Sequence, residues 1–202
     1  MKTVILDCET TGLPPKGANY ETDWKYFPRI LSIAWKVNDQ PTVENIIAQN
    51  GFIIPPEATK INGITQQMVD ESPYQLEGVL IELIETTGIY FVAGFNLYFD
   101  TSNIKANILR LISEERVTQE FYDKAVNFLH KDKRIDVMRA CHKLFGGKWP
   151  TLSEAYTRLF QESFDAHSAG SDVDATYRIL NELIRLGAVK LPETVKVVEE
   201  EI

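Results

Sequence analysis

The order of apolar patterns along the chain is the feature that most restricts its fold. β-prone runs come early, over residues 3–6, 29–37 and 42–54, and are separated by turns and by one long loop at 14–28. Apolar residues at helical spacing dominate later, and the run at 89–93 predicts one more strand between helices. Strands in this order favour an antiparallel meander with added parallel strands. We therefore expect a three-layer α/β domain, with helices on both faces of a mixed sheet.

The helices are predicted from apolar spacing and from residues that cap helix ends. Thr65, Asp136 and Thr151 are typical N-caps, and Glu154 completes a capping box with Thr151. The predicted helical segments cover residues 65–69, 74–86, 100–112, 118–130, 136–145, 152–160 and 172–186.

Length and composition indicate one globular domain with a short tail. The 202 residues are 44% hydrophobic and 25% charged, which is ordinary for a soluble protein. We expect the domain to span 1–188 and residues 189–202 to form a frayed acidic C-terminal tail. Cys8 and Cys141 lack the spacing of a zinc site or a disulfide framework. Because neither a signal peptide nor a membrane span is predicted, we expect a cytoplasmic protein with no membrane partner.

The net charge of −8 restricts the kind of partner. A protein that holds long duplex DNA neutralises phosphates with a broad basic face, and this chain is acidic. An enzyme that grips a strand end through bound cations is still compatible, because metal ions reverse the local sign of the field.

An acidic pair closes the first predicted strand. Asp7 and Glu9 lie two residues apart, so strand alternation points both carboxylates to one face and Cys8 to the other. Taken alone, the pair is equally compatible with a solvated strand end. The chain has 29 acidic residues, which makes this spacing common by chance.

Three later residues are candidates for chemistry, and each has a structural alternative. Asp100 opens the helix after strand 89–93, where an aspartate commonly caps the helix. His167 lies in a loop of small residues and Asp172 begins the last helix, a pattern that an exposed loop histidine and a helix cap also explain. Asp174 competes with Asp172, and apolar periodicity does not distinguish them.

Taken together, three segments resemble the exonuclease motifs of the DEDDh, or DnaQ-like, family of 3′→5′ exonucleases. These segments are DCETTGL (7–13), GFNLYFD (94–100) and H-x4-D (167–172). The resemblance covers residues 3–186, and the family includes the proofreading epsilon subunit of bacterial DNA polymerase III. It implies a ribonuclease H-like fold, and the H-x4-D spacing selects Asp172 over Asp174. The segment INGIT resembles the His-Gly-Ile segment of the family, with Asn62 in place of the histidine.

The resemblance also implies residue roles. The implied ligands of two divalent cations, Mg²⁺ or Mn²⁺, are Asp7, Glu9, Asp100 and Asp172. His167 is the implied general base. The implied substrate-binding residues are Thr10, Thr11, Gly12, Leu13 and Asn96. Several aromatic residues are further candidates for contact with bases, although the first three are equally compatible with a core position: Phe95, Tyr98, Phe99, Trp24 and Tyr26.

Electrostatics gives a reason to treat the four acids as one site. Two carboxylates about 4 Å apart at an effective dielectric near 20 repel each other by on the order of 4 kcal/mol. Such a cluster is tolerated when cations bind or when some of its protons are retained. Hard cations such as Mg²⁺ prefer carboxylate oxygens.

Three functions remain open at the level of sequence. The first is an exonuclease that releases nucleoside 5′-monophosphates from the 3′ end of single-stranded or frayed DNA, alone or with a polymerase or repair complex. The second is a 3′→5′ exoribonuclease of the same superfamily. The third is a non-catalytic nucleic-acid-binding scaffold with the same fold. The proofreading-type resemblance favours DNA, and the intact set of five catalytic positions disfavours the scaffold.

Overall fold

Five strands form one mixed sheet in the computed structural model, which describes residues 3–87, 91–166 and 168–191. The strands are β1 (Thr3–Thr10), β2 (Ile30–Val37), β3 (Val43–Ile46), β4 (Phe91–Gly94) and β5 (Arg134–Asp136). Their order across the sheet is β3-β2-β1-β4-β5. β2 pairs antiparallel with both β1 and β3, whereas β4 pairs parallel with both β1 and β5. The predicted meander with added parallel strands is confirmed.

Helices cover both faces of the sheet. They are α1 (Pro56–Asn62), α2 (Gln66–Asp70), α3 (Leu76–Thr87), α4 (Leu97–Ser113), α5 (Gln119–Phe128), α6 (Val137–Phe145), α7 (Leu152–Phe160) and α8 (Ala169–Arg185). Helices α3, α4 and α5 pack on one face, and α6, α7 and α8 pack on the other. This arrangement is the ribonuclease H-like fold that the sequence predicts.

The central strand β1 separates two apolar cores because its side chains alternate. Val4 and Leu6 pack with α3, α4 and α5, whereas Ile5 packs with α6, α7 and α8. All three side chains are fully buried. A strand that is covered on both faces needs apolar residues at every position, and β1 has them until it reaches Asp7.

Three of the predicted caps are confirmed. The side chain of Thr65 accepts a hydrogen bond from the backbone N–H of Met68. Asp136 accepts one from Arg139 in the same way, and Thr151 forms the predicted capping box with Glu154. Each cap satisfies backbone donors that the first helical turn leaves without partners.

Other predicted strands and helices differ from the structure in their bounds, and two elements were not predicted. The β-rich run 42–54 is a strand only as far as Ile46, because the chain then turns through Asn50 and Gly51, which have φ angles of 46° and 85°. The helix expected at 100–112 begins earlier, at Leu97. The sequence also gave no indication of β5 or α1.

Two expectations fall partly outside the described residues. Of the strand expected at 89–93, residues 89 and 90 lie outside them, and so do residues 192–202 of the expected tail. Within the part of the chain that is described, no helix has the length and apolarity to cross a membrane.

Gly94, the last residue of β4, packs tightly against β1. A Cβ atom at this position would lie 2.9 Å from the backbone oxygen of Leu6 and 2.8 Å from Cδ1 of Leu97. The Leu6 oxygen belongs to the central strand and cannot move without disturbing the sheet. The missing side chain therefore sets how closely β4 and the start of α4 approach β1.

We expect Gly94→Ala to lower the free energy of unfolding by about 1–3 kcal/mol, because the added methyl group overpacks the core. Urea unfolding would measure the change. Gly78→Ala is the matched control, since nothing lies within 4 Å of a Cβ there. Gly78 is exposed in the first turn of α3, so this substitution should be neutral or should stabilise the protein by up to roughly 1 kcal/mol. Equal effects of the two substitutions would contradict the packing role of Gly94.

Candidate active site

Asp7 and Glu9 lie near the end of β1 on the face that α8 covers, while Cys8 packs into the opposite core. Their antiparallel partners in β2 are Ala34 and Ser32. Paired residues of neighbouring strands share a face, so these two short side chains lie beside the carboxylates. Asp7 and Glu9 are both half-buried, and we call this partly exposed end of β1 the acidic recess.

The first turn of α8 brings Asp172 over this recess. Ser168 caps α8 by accepting a hydrogen bond from the backbone N–H of Ser171, so Asp172 lies inside the first turn rather than at the cap. One carboxylate oxygen from each of Asp7, Glu9 and Asp172 lies within 4.8 Å of the other two. Residues 163 positions apart in the chain thus meet at distances that suit a shared cation.

Asp100 approaches the same strand end from the opposite layer, on α4. Its side chain is 2% exposed, and its Oδ1 accepts a hydrogen bond from the backbone N–H of Cys8 at 3.1 Å. That amide lies between Asp7 and Glu9, so the hydrogen bond fixes the Asp100 carboxylate beside them. Asn96 occupies the N-cap position of α4, and the alternative of Asp100 as a helix cap is therefore wrong.

Burial and mutual repulsion raise the pKa values of these acids. Burial raises the pKa of Asp7 well above its usual range, and the charges of Asp100 and Asp172 raise it further. The pKa of Glu9 is raised to about 7, first by burial and then by Asp172. Burial also raises the pKa of Asp100, although the hydrogen bond from Cys8 opposes this shift. The charged form of these acids is therefore unfavourable in the folded protein without a counter-ion. A bound divalent cation would stabilise that charged form.

Sequence reasoning missed two polar residues at this site. Glu44 on β3 pairs with Ala34, which itself pairs with Asp7, so the register brings a further carboxylate to the same face. Its charge raises the pKa of both Asp7 and Glu9. Glu44 can be assigned to the site only from the register of β3 against β2, and the sequence alone does not show this register.

Gly170 allows α8 to lie close to Glu44. A Cβ at residue 170 would come within 2.5 Å of Glu44 Oε2, so only glycine fits without displacing that carboxylate. Ser32 also donates a hydrogen bond to Glu44, at 3.3 Å. The position of Glu44 therefore depends on three separate segments of the chain.

Asn62 is the second of these residues. In the sequence it stands only as the replacement of the family histidine, and no role was predicted for it. Its side-chain amide donates a hydrogen bond to the carbonyl oxygen of Thr10 at 3.3 Å, and its oxygen accepts one from Ile64. A hydrogen bond with Asn62 also lowers the pKa of Glu9, against the larger effect of burial. Asn62 thus ties the end of α1 to the acidic end of β1.

The residues expected to contact substrate lie in the turn after β1 and at the start of α4. Leu13 is 82% exposed, an uncommon state for leucine, and Asn96 is exposed with a left-handed backbone and no capping hydrogen bond. The hydroxyls of Thr10 and Thr11 are engaged within the loop, with Gly12 O and Arg29 N respectively. Gly12 has a φ of 147°, which favours glycine.

The structure distinguishes the two aspartates that compete for the third motif, although it does not describe the histidine. His167 lies outside the described residues. Asp174, the competitor of Asp172, is exposed and forms an ion pair with Lys36 at 3.1 Å. It also accepts a hydrogen bond from Thr42 at 2.7 Å. The geometry therefore brings Asp172, and not Asp174, to the acidic recess.

We expect the metal-free protein to lose stability as the pH rises from about 4.5 to about 7, the window of the Glu9 shift. In this window the folded state keeps a proton that the unfolded chain releases, so rising pH favours unfolding. A divalent cation should therefore raise the melting temperature more near pH 8 than near pH 5, where protons compete with it. Thermal melts in EDTA and in Mn²⁺ would measure both effects.

Glu9→Gln is the control for this prediction. It removes the titrating group, so its metal-free stability should depend less on pH than that of the parent protein across the same window. A cation effect that is equal at both pH values in the parent protein would contradict the assignment.

Comparisons with known proteins agree with this geometry. The family model described as Exonuclease, RNase_T, matches residues 4–180. A search of curated protein sequences finds no match.

Several solved exonuclease structures are similar in fold. A 3′-exonuclease described in 3′-end specific recognition of a histone mRNA stem-loop aligns with a TM-score of 0.67 and 12% identity, over 93% of this chain and 64% of that one. E. coli Exonuclease I in complex with a dT13 oligonucleotide aligns with a TM-score of 0.64 and 21% identity, over 91% and 41%. Exonuclease X in complex with 5′ overhanging duplex DNA gives 0.53 and 19%, over 92% and 93%.

The chain spans less than two thirds of the first two of these structures, and at such identities the likeness is one of fold. The family model is the stronger finding, because it covers most of the chain and includes the acidic residues of β1, α4 and α8. The chain therefore belongs to the exonuclease family of the DEDD superfamily.

Proposed function

We propose that this protein is a metal-dependent 3′→5′ exonuclease of the DEDDh type that hydrolyses single-stranded or frayed DNA. The observation that carries the proposal is the meeting of Asp7, Glu9 and Asp172 within 4.8 Å, with Asp100 held at the Cys8 amide beside them. Three half-buried acids and one buried acid at one strand end have no structural purpose that apolar residues would not serve better. Membership of the exonuclease family supports the same conclusion.

The four acids have the donor chemistry for two divalent cations, Mg²⁺ or Mn²⁺, and exonucleases of this family generally use divalent metal ions. When bound, such cations lower the pKa of a water and stabilise the leaving 3′ oxygen. Asp7, whose charge interacts with those of both Asp100 and Asp172, would hold cations together with them. We assign His167 as the general base that accepts the proton of the attacking water.

Substrate contacts are proposed for the segments that flank the acids in the chain. Leu13 projects into solvent, as a side chain that wedges against a terminal base must. Thr10 and Thr11 hold the turn before Leu13 through hydrogen bonds with Gly12 O and Arg29 N, and we propose that the backbone of this turn contacts the terminal nucleotide. Asn96, at the start of α4, has a side-chain amide that makes no capping hydrogen bond.

DNA is the favoured substrate because the sequence resembles the proofreading type, and E. coli Exonuclease I, a similar fold, is described with a dT13 oligonucleotide. A polymerase or repair complex is the proposed partner class. We further propose that residues 1–188 form the exonuclease domain and 189–202 a tail. The family match ends inside this domain, at residue 180.

We expect Asp7→Asn and Asp172→Asn each to lower the rate of hydrolysis at least ~100-fold, because cation binding supplies several kcal/mol of transition-state stabilisation. Asp174→Asn is the matched control, since it removes one acid from the same helix outside the recess. The rate would be measured on a labelled single strand in Mg²⁺. If Asp7→Asn digested the strand as fast as the parent protein, the proposed site would be wrong.

His167→Ala tests the general base separately. Removing a general base costs about 10²–10⁴-fold in rate. The substitution leaves the four acids in place, so the rise in melting temperature on adding Mn²⁺ should stay as large as in the parent protein. A rate that is unchanged would exclude His167 from this role.

Polarity and sugar preference are tested together by degradation ladders. DNA and RNA strands of one sequence, labelled at the 3′ or the 5′ end, would be digested in Mg²⁺, in Mn²⁺ and in EDTA. We expect the 3′ label to be released first as a mononucleotide, DNA to be degraded faster, and EDTA to stop the reaction. Faster degradation of RNA would favour the exoribonuclease alternative, since the 2′-hydroxyl is the group that distinguishes the two strands.

A further inference from the structure

A cavity of about 310 Å³ on the outer side of α4 is lined by basic side chains, in contrast to the acidic recess. It lies between α4, the chain around Tyr20, and the segment that leads from α5 into β5. The side chains that give it its character are Lys105, Lys131, Arg134, His130, Tyr20 and Tyr98. We call it the Lys105 pocket. None of these residues has a role in the proposed reaction.

Lys105 is the unusual residue of this pocket. It is 5% exposed, and among the described residues it forms neither an ion pair nor a hydrogen bond. Its ammonium lies 5.1 Å from the ring centroid of Tyr20, a cation–π contact. The stem of the side chain is thus buried, while the ammonium keeps contact with solvent in the pocket, where an anion could reach it.

Arg134 adds a second uncompensated cation. Its guanidinium donates to the carbonyl oxygen of Leu129, through Nε at 2.8 Å and through Nη2, and within the described part of the chain it has no carboxylate partner. Burial and the nearby Arg134 charge lower the pKa of Lys105 to about 8. The positive charges of Lys105 and Arg134 therefore repel each other, and an anion bound near both would stabilise their charged forms.

The acids near the pocket form no ion pair with Lys105 or Arg134 among the described residues. Glu21 favours the charged form of Lys105 from a distance, and its carboxylate accepts a hydrogen bond from the Tyr20 hydroxyl at 3.2 Å. Asp132 lies 3.5 Å from His130 Nδ1 at the exposed rim. In a chain of net charge −8, a cavity with unneutralised positive charge is a local exception.

The pocket and the acidic recess share helix α4. Lys105 follows Asp100 by five residues, about 7.5 Å along the helix axis and about 140° around it. Tyr98 lies in the first turn of the same helix, lines the pocket and is 64% exposed. A strand whose 3′ end lies at Asp100 would therefore meet the cationic cavity and the exposed aromatic ring by passing around α4.

We propose that the Lys105 pocket binds a backbone phosphate of the substrate strand, upstream of the bond that is cleaved. This inference rests on the proposed function. Lys105 and Arg134 provide the charge, and Ser102, whose hydroxyl can donate a hydrogen bond, lines the same cavity. Contacts of this kind position a strand without reading its sequence.

The first test is the salt dependence of binding. A fluorescent single-stranded oligonucleotide would be titrated with the protein in EDTA, which prevents hydrolysis, at several salt concentrations. Loss of one phosphate contact lowers the slope of log K against log salt by about 0.7 for a single strand. We expect this change, with about tenfold weaker binding at low salt, for Lys105→Met.

Two variants serve as controls. Lys105→Arg keeps the charge and should keep the slope of the parent protein. Lys143→Met removes an exposed lysine on α6, in the layer on the other side of the sheet, and should leave the slope unchanged. An unchanged slope for Lys105→Met would overturn the proposal. Binding of a nucleoside 5′-monophosphate that needs Lys105, with strand binding that does not, would also overturn it.

A second measurement uses the unaltered protein and does not depend on the folding of a variant. Pyridoxal 5′-phosphate condenses with an unprotonated lysine amine, releasing water, and borohydride reduces the imine to a stable adduct. We expect labelling at Lys105, located by peptide mass spectrometry, to be suppressed by a saturating single strand, while labelling at Lys143 is not. Equal labelling of Lys105 with and without the strand would overturn the proposal. Neither measurement requires hydrolysis, so failure of the nuclease proposal would be seen separately, in the degradation assay.

Discussion

The crowding of carboxylates at the end of β1 is the constraint on which the rest of the structure depends. Asp7 and Glu9 end a strand that is otherwise apolar and buried, α8 brings Asp172 onto them from one layer, and α4 brings Asp100 from the other. Each approach raises the free energy of the charged state. The two apolar cores hold these layers together, and the packing that stabilises the fold thereby maintains a site that is stable in its charged form only with bound cations.

The distribution of charge follows from the same arrangement. The recess concentrates acid at one end of α4, while Lys105 and Arg134 leave positive charge in a cavity a few residues along the same helix. A polynucleotide carries its negative charge at regular intervals, so a chain that is acidic overall binds it by local sites rather than by a broad basic surface. The net charge of this protein is therefore a weak guide to the class of its partner, and the positions of a few cationic side chains are a better one.

Much of the fold was predictable because its signals are local. Strand alternation and helix caps such as Asp136 and Thr151 depend on residues only a few positions apart. The failures have equally physical causes. β5 has three residues, too few for alternation to be visible, and α1 is a short helix that starts at a proline pair and carries no apolar stripe. Asp100 at the start of a helix is indistinguishable from a cap until the Cys8 amide lies beside it.

Patterns among neighbouring residues were enough to predict the layers of the fold, and the resemblance of three ordered motifs to a known family pointed to four acids as metal ligands. Strand ends, helix starts and motif spacings are local patterns, so they can be recognised without a structure. The positions of Glu44 and Asn62 beside Glu9, and the burial of Lys105 with no ion pair among the described residues, emerged from the tertiary structure alone. Those facts depend on strand register and on contacts between distant segments, and long-range packing leaves no periodic trace along the chain.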